Sequence, residues 1–319
     1  MTGDEQPTGP ALRRILDRVG GPQLLDLLAE DLSGADLTTL MLEVYRRRAD
    51  RLGPAEVMRR YRTDRFVAPA PTVFARLRQA EDVLLAALPG AFEMVTPAPL
   101  LPLAAHSAVA TVDPRKVVAT VRGSEVAADP TNALALEAAR RRSAALAADH
   151  RCAEPVRLAA NQRVVRAQHF AAPGQHAHFQ LFALVTAGRD TGGGSFERRH
   201  LVDHLWFAAR ATAGAGLSGT EIRLTCLDAS AAGLLTHARE ALSAAPGVAV
   251  VDDPDRTTGR GYYTGLCYKV HTTVDGRPVE LADGGFVDWT RRLTGNRKER
   301  LLIGGFGVDR LAALLPPPG

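Results

Sequence analysis

The stretch Ile303-Gly-Gly-Phe-Gly-Val-Asp-Arg-Leu311 places glycines 304, 305 and 307 just ahead of a predicted helix. Glycine lets a backbone come close to a ligand or to a neighbouring strand. Arg310 falls in the first turn of that helix, where its charge adds to the partial positive charge of a helix N-terminus; the combination suits a phosphate. The same residues also read as a glycine-rich turn before an ordinary helix with a surface arginine. A second constellation is Val165-Arg-Ala-Gln-His-Phe170, a loop, then His178-Phe-Gln-Leu-Phe182. Arg166 and Gln168 stand two apart on a predicted strand and so share one face. A hairpin partner would bring the Phe179 ring beside them. A guanidinium takes phosphate oxygens in fork geometry and an aromatic ring stacks on a base, so this face could serve as a nucleotide platform. The alternative is a solvent-facing arginine with core phenylalanines.

Other spacings carry less. His176, His178, His200 and His204 include an i, i+4 pair, but no nearby cysteine or further histidine completes a ligand set, and no metal site is expected. Gly259, Gly261 and Gly265 lack the strand–helix unit of a dinucleotide site. Glu125 with Asp129, Asp252 with Arg256, and the run Arg140–Arg142 read as solvated charge.

These residues need elements to hold them. Leu12, Ile15, Leu16 and Val19 follow a helical stripe; Ser33 with Asp36 caps a second helix; a third starts near Pro54 and runs to about Tyr61. Residues 1–66 therefore read as a helical extension, bounded by the proline-rich Val67–Thr72. Beyond it the pattern predicts a helix over Val73–Leu88 and a short strand at Phe92–Val95. A strand at Lys116–Val121 and a helix over Ala133–Ala147 follow. Strands at Gln162–Gln168 and Phe179–Ala187 flank a loop at Phe170–Ala177, and later strands alternate with helices to Val308–Leu315. Short loops between strands imply an antiparallel sheet in an α+β domain over 67–315, with 316–319 as a tail.

The two constellations, in this order, resemble motifs 2 and 3 of the class II aminoacyl-tRNA synthetases. The resemblance implies that Arg166 binds the ATP α-phosphate and that Gln168, where motif 2 has a glutamate, lies at an adenine contact. It also implies that Phe179 stacks on adenine and that Arg310, beside Gly307, holds the γ-phosphate end of a bent ATP. The helix 73–88 and the strand ending at Pro97 are similar to motif 1, the dimer interface of that class. Arg260-Gly-Tyr-Tyr-Thr-Gly-Leu-Cys-Tyr268 is similar to the tyrosine-pair motif of histidyl-tRNA synthetases, which implies a substrate role for Tyr262 and Tyr263. Ala282-Asp-Gly-Gly-Phe-Val-Asp-Trp289 is similar to their second signature, with Gly284, Gly285 and Phe286 as the double glycine and aromatic. Asp129-Pro-Thr131 stands where those enzymes place an acid and a threonine around the substrate ammonium. Tyr262, Tyr263, Phe286 and Trp289 suggest a pocket with aromatic walls.

The resemblance spans about residues 73–315 and implies a class II core, ATP and Mg²⁺, a homodimer, and activation of an amino acid or related carboxylic acid as its adenylate. It departs from the family at Gln168 and at Thr258, which stands where histidyl enzymes carry an arginine; the nearest, Arg260, is two residues away. The given sequence stops after the motif 3 helix. These features lead to an expected acceptor other than an anticodon-read tRNA: a carrier protein, a small amine or a tRNA acceptor arm. The alternative is a non-catalytic regulatory subunit of the ATP phosphoribosyltransferase type, binding an amino acid and a partner enzyme.

Composition is compatible with both. Apolar residues make up 46% of 319, with mean hydropathy −0.07, ordinary for a globular chain. No apolar run is long enough for a membrane span. Cys152, Cys226 and Cys267 are widely spaced and odd in number, with no CxxC, so neither a disulfide framework nor a zinc knuckle is indicated and a reduced cytoplasm is expected. The net charge of +4 favours polyanions without naming one.

Overall fold

A computed structural model describes residues 9–168 and 176–316. It comprises two compact units, Met1–Asp64 with Ala119–Ser124, and Arg65–Val118 with Glu125–Gly319. In the first, helices span Pro10–Val19, Pro22–Asp26 (continued by a π-turn, Leu27–Asp31), Gly34–Ala49 and Pro54–Thr63. Gly20 stops the first in the left-handed conformation, and Ser33 caps the third by accepting the Asp36 N–H.

The second unit is built on an eight-stranded sheet. Its strands are β1 (Glu93–Met94), β2 (Val156–Val165), β3 (His178–Arg189), β4 (Thr220–Cys226), β5 (Val248–Asp252), β6 (Thr264–Val274), β7 (Arg277–Val287) and β8 (Glu299–Gly307). The order across the sheet is β1-β2-β3-β8-β7-β6-β4-β5. Only the edge pairs β1–β2 and β4–β5 are parallel; the interior is antiparallel. The helices are α1 (Phe74–Ala87), α2 (Pro130–Ala148), α3 (Ser195–Gly214), α4 (Ala232–Leu242), α5 (Trp289–Thr294) and α6 (Val308–Leu314).

Alternation along β8 shows how the sheet is covered. Leu302 and Phe306 join a core with Leu84 of α1, Leu201 and Leu205 of α3 and Leu311 of α6. Leu301 and Ile303 face the other way, onto Leu134 and Ala138 of α2 and Trp289 of α5. Burial on both faces is what an antiparallel sheet between two helical layers requires. No helix among the described residues is long and apolar enough to cross a membrane.

Three expectations are corrected. Lys116–Val121 does not form a strand: Pro114–Lys116 is a 3₁₀ turn, begun by Asp113 accepting the Arg115 N–H. β2 starts six residues before Gln162 and ends at Val165, so Arg166 and Gln168 lie past the strand rather than on it. The Arg140–Arg142 run is not uniformly solvated, because Arg142 is fully buried against Glu299 at 2.8 Å. Most of the expected loop Phe170–Ala177, residues 170–175, lies outside the described residues.

Candidate active site

Arg166 leaves β2 with its N–H bonded to the Ala177 carbonyl at 2.7 Å. The following residues are tied down by Arg65, which donates to the carbonyls of Ala167 and of Gln168. Because Val164 pairs with Phe179 across the hairpin, the Phe179 ring meets the guanidinium, 5.0 Å from Arg166 Cζ to the ring centroid. Arg166 Nε donates to the Ala128 carbonyl at 2.9 Å and Nη2 to Asp129 at 3.2 Å. The other Asp129 oxygen caps α2, accepting from the Thr131 N–H at 2.9 Å and its hydroxyl at 2.7 Å. One carboxylate thus fixes both a helix start and an arginine.

On the opposite wall, α6 begins at Val308 and presents Arg310, which is exposed. Its Nη1 donates to the Glu280 carbonyl at 3.0 Å and lies 3.4 Å from Glu280 Oε1, while Lys269 Nζ donates to Oε2 at 2.6 Å. Burial would raise the Glu280 carboxyl, but the Lys269 hydrogen bond and the charges of Lys269 and Arg310 outweigh it and hold it below its ordinary range. Asp309 fastens α6 to β3, accepting the Gln180 N–H at 2.6 Å.

The floor is aromatic. Tyr262 stands edge-on to Tyr263 at 4.8 Å and, at 5.5 Å, to Trp289, which is buried behind the lining and, against expectation, is no wall of the cavity. Burial, with the Asp129 charge adding to it for Tyr262 and the Asp283 charge for Tyr263, raises both phenols, which stay neutral donors. Beside them the buried Arg256 donates through Nη2 to both Asp283 oxygens, at 2.9 and 3.0 Å. Burial pushes the Asp283 carboxyl up despite that partner.

A cavity of about 1020 Å³ joins these walls. Arg166, Gln168, Phe179, Gly307 and Arg310 line it, and so do Asp129, Thr131, Tyr262 and Tyr263. Gly284, Gly285 and Phe286 do not line it; they are buried in β7 behind it. A β-carbon on Gly284 would meet the Tyr268 ring at 2.4 Å, and one on Gly285 the Tyr263 ring at 2.8 Å. These glycines leave room for tyrosines that pack on the sheet. Thr258 and Arg260 both line the cavity, and the Arg260 guanidinium donates to the carbonyls of Arg256 and Pro254.

Several site residues escaped the sequence reading. Arg256 and Glu125 were read as solvated and are buried: Asp252 pairs with Arg239 instead, and Glu125 with His106. Asp283, Glu280 and Asp309 were left without a role. His200 and His204 are core residues, on Phe196 and Thr186 respectively. As for Mg²⁺, the lining carboxylates Asp113, Asp129, Glu280 and Asp283 each already hold a cation, and Asp309 accepts from Thr72 and Gln180. Among the described residues no group of three His, Cys, Asp or Glu is placed to hold a metal.

No protein-family model and no curated protein matches the sequence. Solved structures do match in shape. An ATP phosphoribosyltransferase regulatory subunit/histidyl-tRNA synthetase from Bacillus halodurans aligns with a TM-score of 0.59 at 15% identity, over 79% of this chain and 83% of that one. The fold is that of a class II synthetase core. A histidine–tRNA ligase subunit from Alicyclobacillus acidocaldarius shares this class II fold (TM-score 0.56, 16% identity, 77% and 94% covered). So does a histidyl-tRNA synthetase from Nostoc sp. PCC 7120 (0.55, 12%, 79% and 76%).

Proposed function

We propose that this protein activates an amino acid or related carboxylic acid with ATP, forming an acyl adenylate and pyrophosphate. The observation that carries the reading is that Arg166 on the Phe179 ring and Arg310 on the facing wall share one cavity with Asp129 and the tyrosine pair. In the reaction a carboxylate oxygen attacks the α-phosphorus, and the bond from that phosphorus to the bridging oxygen breaks as pyrophosphate leaves. The nucleophile is already ionised, so no general base is needed. The obstacle is bringing two anions together, which fixed cations remove. Arg166 takes the α-phosphate, Phe179 and Gln168 the adenine, and Arg310 the far end of the triphosphate. Asp129 receives the substrate ammonium, with Tyr262 and Tyr263 along the side chain. Mg²⁺ enters the proposal only as a counter-ion carried by the phosphates. The acyl group then passes to an acceptor: a carrier protein, a small amine or a tRNA acceptor arm. A homodimer through the face of α1, where Phe74 and Leu85 stay exposed, and a cytoplasmic setting complete the reading.

Calorimetry with ATP tests it. Binding to the parent protein that weakens at least about tenfold in Arg166→Ala and in Arg310→Ala is the expected result, since each change removes a charge-assisted contact. An absence of ATP binding by a folded parent sinks the proposal.

A second reading has one observation in its favour. Arg166 and Arg310 already rest on Asp129 and Glu280, and Arg260 on backbone carbonyls, with Thr258 on the wall. A regulatory subunit that binds an amino acid and a partner enzyme would need no freer cation. Amino-acid binding with no ATP binding, plus co-purification of an enzyme, is its signature.

A further inference from the structure

We propose that His106 and Glu125 form a positioning clamp that sets Arg166 through the Ala128 backbone; the inference rests on the adenylation reading for what Arg166 does. His106 is 1% exposed and sits in a short π-turn, Ala105–Val109. Its Nε2 accepts the Ala128 N–H at 3.0 Å. An accepting Nε2 fixes the neutral ring with its proton on Nδ1, which donates to Glu125 Oε1 at 2.5 Å. The same Glu125 oxygen accepts the His106 N–H at 2.7 Å, and Oε2 accepts the Ala104 N–H at 3.2 Å. Ala104 has φ of +71°, a left-handed conformation that L side chains rarely adopt, and the Glu125 contacts hold it there.

Ala128 is gripped on both of its flanking peptide groups. The N–H of the one before it goes to His106, and the carbonyl of the one after it accepts from Arg166 Nε at 2.9 Å. The next residue, Asp129, is the other hydrogen-bond partner of the same guanidinium. Both anchors of Arg166 therefore hang on two consecutive residues, and the N–H of the first is held by a histidine. A carboxylate 5% exposed is a costly group to bury for the sake of one loop unless its orientation work matters elsewhere. His106 also lines the cavity, but both of its ring nitrogens are engaged, with Glu125 and with the Ala128 N–H, so it is a positioning residue.

The test uses two substitutions in the full chain. His106→Gln places an amide oxygen near the position of Nε2 and keeps an acceptor for Ala128; His106→Asn reaches only the Glu125 side. Two readouts apply: hydrogen exchange of the Ala128 amide without ligand, and ATP affinity by calorimetry. His106→Asn is expected to speed Ala128 exchange and weaken ATP, each about tenfold, the scale of one lost hydrogen bond. His106→Gln recovers most of both. In an Arg166→Ala background His106→Asn costs no further ATP affinity, the outcome a merely structural role would not give. The clamp is overturned if His106→Asn leaves both readouts unchanged, or weakens ATP equally with and without Arg166. Should that variant fail to fold, Glu125→Gln is expected to give the same pattern at smaller size, and parental values in it overturn the clamp. If the parent protein binds no ATP, the adenylation reading fails by itself. The clamp is then decided by Ala128 exchange and by whether the Arg166 Nε–H resonance shifts in His106→Asn.

Discussion

On the adenylation reading, Arg166 works through geometry as much as charge. It uses Nε and Nη2 on different acceptors while its Cζ lies over the Phe179 ring, an arrangement that lysine cannot copy. Arg166→Lys is therefore expected to keep the charge yet lose about a hundredfold in adenylate formation, measured by single-turnover kinetics; near-parental rates would show that charge alone suffices. His204 makes a separate prediction. Burial lowers it to about 3, with the His200 charge adding. In the unfolded chain it titrates near about 6.5. Between those values the unfolded state binds a proton the folded state refuses, so stability falls as pH drops from about 6.5 toward 3, by up to about 1.4 kcal/mol per unit. Denaturant titrations across that window should show a shallower decline in His204→Gln; an unchanged slope would contradict it. At this scale the sequence singled out Arg166 with Phe179 and, separately, Arg310, because each sits in its own short patterned stretch; that all three line one cavity took the fold. It hid Arg256 and Glu125 because their partners, Asp283 and His106, lie 27 and 19 residues away and no local pattern marks a buried ion pair.

The elements explain why glycines crowd the central strands. A β-carbon on Gly284 would fall 2.6 Å from the Ile303 carbonyl as well as on the Tyr268 ring, and backbone cannot give way cheaply. At Gly305, a residue of β8, nothing lies within 4 Å. Gly284→Ala is expected to lose about 3 kcal/mol or more in denaturant unfolding, while Gly305→Ala stays within about 0.5 kcal/mol. Equal effects would argue against the packing described. The motif 303–311 was legible as a strand and a helix start, whereas the second half of β7, past Ala282, and the beginning of β2 were not. Val156-Arg-Leu-Ala-Ala-Asn161 has few β-branched residues and becomes a strand by pairing with both β1 and β3. Conversely Lys116-Val-Val looks β-forming, but Asp113-Pro114 turns the chain first.

At the scale of the molecule, one buried pair ties the α2 layer to the sheet. Arg142 on α2 donates to both oxygens of Glu299 at the start of β8 and to the carbonyls of Cys152 and Glu154. Removing one member strands the other charge, so Arg142→Ala is expected to lose about 3–5 kcal/mol without changing the cavity residues. Thermal and denaturant unfolding measure it, and a loss below 1 kcal/mol would show the pair to be dispensable. The α+β class was readable from the order of elements, and the class II core from the order of its motifs; the short edge strands near 92–95 and 248–251 were readable too, but their parallel pairing and the six-residue helix α5 were not. The central claim is that this fold still activates a carboxylate. Amino-acid-dependent ATP–pyrophosphate exchange over a broad amino-acid panel tests it most directly. The account predicts exchange with one acid, abolished in Arg166→Ala and Arg310→Ala; a folded protein that exchanges with none, while binding an amino acid without ATP, would contradict it.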